Sequence, residues 1–140
     1  MLKDLVRHTA EATGLTQSKT KAALGIILNA AERQGSPFAD KLFERIPGAR
    51  PLAAKAGAQT GAATGVIARL IEQTPGGRRY VAVTMIGDLH EAGLGHTEIG
   101  AIFPAIAAFA EETFQITGFG HLGDLFGSDV DMDAVMAQAA

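Results

Sequence analysis

Apolar residues return every three or four positions along most of this chain, and glycine or proline breaks the pattern at intervals. That period admits helices and little else. Leu2, Leu5, Val6 and Thr9 predict a first helix to about Ala12, ended by Gly14. Thr16 is the expected N-cap of a second, whose inner stripe is Leu24, Ile27, Leu28 and Ala31 and which stops near Gly35. Ser36-Pro37 reads as a cap followed by proline at the first helical position, with Asp40 near the positive end of the helix dipole. Phe38, Leu42, Phe43 and Ile46 are the expected buried face of that third helix, and Pro47-Gly48 closes it.

After the breaker Thr74-Pro75-Gly76-Gly77, Val81, Met85 and Leu89 predict a helix ended by Gly93. Ile99, Ile102, Phe103, Ile106, Ala110 and Phe114 predict the next. Pro104 lies inside it and cannot donate to the Gly100 carbonyl, so a kink is expected there, with Gly100 leaving room for the ring. Phe119 to Gly127 reads as a short helical or irregular segment.

The two ends of the chain resemble one another. Glu11-Ala12-Thr13-Gly14-Leu15 is echoed by Glu91-Ala92-Gly93-Leu94, and each precedes a long apolar helix and then a short Phe-containing segment, Phe38–Ile46 or Phe119–Phe126. The expected architecture is therefore an all-α helical bundle of about six helices, built from two similar helix-turn-helix-short-helix units. At 140 residues this is one domain: residues 1–50 form the first unit, 51–79 a Gly/Ala-rich connecting helix or linker, and 80–140 an acidic second unit.

Gly57, Gly61 and Gly65 recur four apart in the connector. On a helix they would form a smooth ridge for close backbone approach; otherwise the stretch is a flexible linker. Helix resumes at Val66, Ile67, Leu70 and Ile71.

Charge divides sharply. All 12 Lys and Arg lie at or before Arg79, beside six acids, a net of +6; Tyr80 to Ala140 carries nine acids and no Lys or Arg, a net of −9. The two halves can neutralise each other within one molecule, meet head to tail between copies, or bind a charged third party. Arg78 and Arg79 mark the boundary.

Chemistry finds little purchase. The absence of cysteine removes disulfide scaffolds, thiol catalysis and cysteine-ligated metal sites. Gly118-Phe119-Gly120-His121-Leu122-Gly123 has dinucleotide-loop spacing but follows a helix, so a turn is the better reading. His90-Glu91 lacks the second zincin histidine because position 94 is Leu, and His8, His90, His96 and His121 share no ligand spacing, so solvated or capping roles are expected. Asp129, Asp131 and Asp133 copy the first ligands of a calcium loop, but Ala134 and Ala140 stand where its Gly and Glu belong; at most a weak ion site is expected. Ser18, Ser36 and Ser128 occupy no nucleophile elbow, and Glu111-Glu112 diverge on a helix. No enzyme activity and no cofactor are expected.

Two resemblances bear on these readings. Leu5 to Thr16, with Lys19 and Ala22-Ala23, is similar to the N-terminal hairpin of HU-type histone-like proteins, as Ile116-Thr117-Gly118-Phe119-Gly120 is to their Gly-Phe-Gly segment. This implies nucleic-acid binding through the basic first half. The basic β-arm of that family is missing, so nucleic acid ranks below protein as a partner. Gly25-Ile26-Ile27-Leu28, Ile46-Pro47-Gly48-Ala49, the Gly/Ala-rich middle and Gly93-Leu94 with Phe103-Pro104 resemble uncharacterised bacterial helical domains of the VcgC/VcgE type. That resemblance implies an all-α fold and supplies no activity.

The resulting expectation is a non-enzymatic interaction or scaffolding protein that assembles with itself or an unknown protein through its charge-split faces and small-residue ridge. The alternative is an HU-like nucleic-acid-binding module. A third reading is a small-ligand or lipid-binding protein with a pocket lined by Phe103, Phe109, Phe114 and Phe119. The N-terminus has charges where a leader needs an apolar core, and the longest apolar run, Ile99 to Ala110, is too short to span a bilayer; a soluble cytoplasmic protein is expected.

Overall fold

A computed structural model describes residues 1–116. Within them the chain forms seven α-helices and no strand: α1 (Leu2–Thr13), α2 (Gln17–Arg33), α3 (Pro37–Arg45), α4 (Ala49–Thr60), α5 (Val66–Glu72), α6 (Pro75–Glu91) and α7 (His96–Phe114). The protein is an all-α bundle. Two of the seven, α4 and α5, form in the Gly/Ala-rich connector between the two expected units.

Local signals set most boundaries. Gly14, at φ 76°, ends α1 in the left-handed conformation that glycine adopts without a Cβ penalty. Thr16 accepts a hydrogen bond from the Lys19 N–H at 3.2 Å, and Ser36 accepts one from the Ala39 N–H at 3.3 Å. Thr74 caps α6 through the Gly77 N–H at 3.1 Å, so Pro75 opens a helix rather than only ending one. Entry to the second long helix differs from entry to α2. Gly95 has no side chain to cap with, and the Glu98 carboxylate reaches back to its N–H at 3.3 Å instead.

α2 is the central element, packed against α1, α3, α4 and α6, while α1 also packs on α7. Leu24, Ile27 and Leu28 of α2 meet Leu5, Phe38, Leu42, Ile46, Met85, Ile86 and Leu89 in one core, all of them essentially inaccessible to water. Phe43 stays half-buried, with the Arg50 guanidinium 4.5 Å from its ring centroid. Phe103, Phe109 and Phe114 are buried in the same core, with Phe109 and Phe114 edge to face at 6.1 Å. They line none of the cavities described below; Phe119, the fourth wall of the expected ligand pocket, lies outside the described residues.

The α2–α4 contact is the most extensive in the bundle, and glycine permits its close approach. A Cβ on Gly25 would stand 3.0 Å from the Ala56 methyl and 3.1 Å from the Leu52 carbonyl oxygen. A Cβ on Gly57 would run into the Asn29 amide, 3.0 Å from its Cγ. Only one glycine of the proposed ridge therefore packs. Gly61, at φ 73°, terminates α4, and Gly65, at φ 100°, precedes α5 with nothing near its missing Cβ. The connector is neither a three-glycine helical face nor a free linker: it is a packed helix followed by a short break.

α7 runs unbroken through Pro104, and a Cβ on Gly100 would meet nothing within 4 Å, so the glycine is not needed to make room for the ring. The Phe119–Phe126 segment, expected to complete the second unit, lies outside the described residues. No single described helix is long and apolar enough to cross a membrane.

Candidate interaction surface

α5 turns an acid inward and its apolar side chains outward. Its one buried residue is Glu72, whereas Val66, Ile67, Leu70 and Ile71 are 61–77% exposed. Tyr80, on the neighbouring α6, is 65% exposed. The apolar period is present in the sequence as expected, but it points outward.

What holds α5 in place is polar. The Arg33 guanidinium, at the end of α2, grips the Glu72 carboxylate: its Nε donates to Oε2 at 3.0 Å and Oε1 at 3.2 Å, and its Nη2 donates to Oε2 as well. Arg69 adds a second bond, from Nη1 to Glu72 Oε1 at 3.0 Å, and ties the helix to the preceding break through the Ala63 carbonyl at 2.9 Å. Two amides close the joint. Gln34 donates to the Glu72 carbonyl at 3.1 Å, and Gln73 donates to the Arg33 carbonyl at 3.2 Å. Burial pushes the Glu72 carboxyl toward the neutral form, but the hydrogen bonds and charge of Arg33, then Arg69, outweigh it and hold its pKa below the usual value.

Beside this clamp lies a cleft of about 160 Å³ between α2, the α4–α5 break and α6, with Arg33 and Glu72 on one side and Tyr80, Thr84 and Asp88 on the other. Burial raises the Asp88 pKa, Glu91 raises it further, and Arg33 opposes them. A carboxyl whose folded pKa is raised contributes stability below its unfolded value of 3.8 and loses it as pH climbs through the folded value. Asp88→Asn is therefore expected to raise the midpoint of thermal unfolding at pH 7, with the gain over the native chain vanishing below pH 3.8. Calorimetry of both proteins across that range checks the sign.

Several ion pairs use acids of the first half: Asp4 with Arg7 and the N-terminus, Glu32 with Arg50, and Glu72 with Arg33 and Arg69. Glu91, Glu111 and Glu112 stand exposed in the second half. Of the boundary arginines, Arg78 is half-buried and its Nε donates to the Gln73 carbonyl at 3.1 Å, while Arg79 is exposed.

The histidines take local roles. His90 Nδ1 lies 3.0 Å from the Leu94 carbonyl oxygen, His96 packs edge-on to it at 5.1 Å, and His8 lies 5.6 Å from the Phe109 ring. Among the described residues no group of three or more His, Asp or Glu is placed to hold a metal ion. Asp129, Asp131, Asp133 and His121 lie outside the described residues. Sequence reasoning missed the clamp: Arg33 and Glu72 are 39 positions apart with no local pattern joining them. Known protein families, curated proteins and solved structures were compared with the chain, and none of them matches it.

Proposed function

We propose that this is a non-enzymatic interaction protein that assembles with a second copy of itself through the outward face of α5, the opposite net charges of its two halves in sequence steering the encounter. The observation that carries the proposal is the inverted polarity of α5, with its acid inside and four large aliphatic side chains in water. Val66, Ile67, Leu70, Ile71 and Tyr80 together expose on the order of 600 Å², the size of the largest apolar patch on a typical monomer and a mark of interaction sites. Two such faces in contact bury about 1,200 Å², the lower bound of a standard specific interface. The clamp supports the same reading, because it fixes the face without using any of its apolar side chains. Oppositely charged halves speed encounter between copies at low salt.

Gel filtration with light scattering, at low and at high ionic strength, tests the proposal. The native chain is expected to run as a dimer or larger species in both, because the contact is apolar, and to associate more strongly at low salt. The Ile67→Glu/Leu70→Glu variant is expected to run as a folded monomer. A native chain that stays monomeric at both ionic strengths overturns the proposal.

A further inference from the structure

Four basic residues of the first half, Lys3, Arg7, Lys21 and Lys55, lie around hollows on the N-terminal part of α2. One open hollow, of about 860 Å³, lies between α1 and α2, with Leu2 and Val6 in its wall and Lys3, Arg7 and Lys21 around it. A second, of about 300 Å³, lies between α2 and α4, with Ile26 and Leu52 in its wall and Lys21 and Lys55 around it. Ser18 and Lys21 line both, so the two hollows adjoin along one face of α2. The close approach of α4 at Gly25 fixes the floor of the second.

Arg7 pairs with Asp4 at 2.9 Å. Lys3, Lys21 and Lys55 are exposed and pair with no acid among the described residues. Three ammonium groups around hollows with aliphatic walls complement a ligand that carries carboxylates and aliphatic side chains together. A bare phosphate backbone would use the charges and leave the hollows empty. We propose that this α1–α2–α4 face docks an acidic, aliphatic-bearing segment of a partner protein. It is a surface separate from the α5 face and does not depend on self-assembly.

The probe is a synthetic peptide that shares no sequence with this chain and carries four Asp among Leu, Phe, Val and Met, with no basic residue. Labelled and titrated with the full chain, it is expected to bind saturably in fluorescence anisotropy. Binding should weaken roughly tenfold or more between ionic strengths of about 0.1 M and 1 M, as the Debye length falls from ~10 to ~3 Å. Lys21→Glu/Lys55→Glu should weaken it about tenfold or more through like-charge contact, with circular dichroism and melting unchanged. A peptide with its four Asp replaced by Asn should bind equally poorly. The Ile67→Glu/Leu70→Glu variant should bind like the native chain, which separates failure here from failure of the α5 interface. The proposal is overturned by absence of saturable binding, by binding that the lysine variant leaves intact, or by duplex DNA that displaces the peptide and binds more tightly.

Discussion

Glu72→Ala is expected to cost about 3–5 kcal/mol of unfolding free energy, because it leaves the Arg33 guanidinium buried without its counter-charge. In a domain of this size that is a fall of roughly 10–20 °C in the unfolding midpoint. Removing both charges is a different matter. Arg33→Met/Glu72→Met takes away the buried ions together and fills the space with apolar atoms, so it should recover most of the loss. The pH dependence has a definite sign. The folded pKa of Glu72 is depressed, so its contribution is present above the unfolded value of 4.5 and is lost as pH falls through the folded value. The gap between native and variant should therefore narrow in acid. Chemical denaturation of the three proteins measures all of this; a loss under about 1 kcal/mol for Glu72→Ala would mean that water reaches the pair freely.

Two glycines of α6 give the second large effect, with opposite signs for the same substitution. A Cβ at Gly77 would fall inside the van der Waals envelope of the Ile71 carbonyl oxygen and 2.7 Å from the Glu72 Cα, both backbone atoms of the α5–α6 joint. Gly77→Ala is expected to cost about 1–3 kcal/mol net, although alanine is the better helix former. Ten positions along, a Cβ at Gly87 meets nothing within 4 Å. Gly87→Ala is expected to stabilise by about 0.5–1 kcal/mol, since only the entropy term remains. A destabilising Gly87→Ala, or a neutral Gly77→Ala, would contradict the packing described for this helix.

Helix ends were legible in the sequence because their causes are local. Thr16 and Ser36 each sit three residues before the N–H they accept from, and Gly14 takes the conformation its lack of a Cβ permits. The inner faces of α2, α6 and α7 were legible for a similar reason: Leu24, Ile27, Val81, Met85, Ile99 and Phe103 follow the helical period and are buried. α5 shows where this reasoning stops. Val66, Ile67, Leu70 and Ile71 obey the same period, but periodicity reports that a helix has an apolar face and not which way the face turns. The direction was set by Glu72, whose partner Arg33 is remote in sequence. The equal spacing of Gly57, Gly61 and Gly65 misled for a related reason. Glycine serves close packing and helix termination alike, and the Asn29 amide beside Gly57 and the positive φ of Gly61 distinguish the two roles.

The polar clamp also has an evolutionary consequence. In most helices the residues that hold the element to the core are the ones a partner cannot see, and they limit what the rest of the sequence can become. Here the hydrogen bonds that tie α5 to α2 run through Arg33, Gln34, Glu72 and Gln73, with Arg69 bracing Glu72, while Val66, Ile67, Leu70 and Ile71 face outward. Val66, Ile67, Leu70 and Ile71 can drift through other residue types at little cost to the fold. Descendants of one scaffold could thereby change what they recognise while the bundle beneath stays the same.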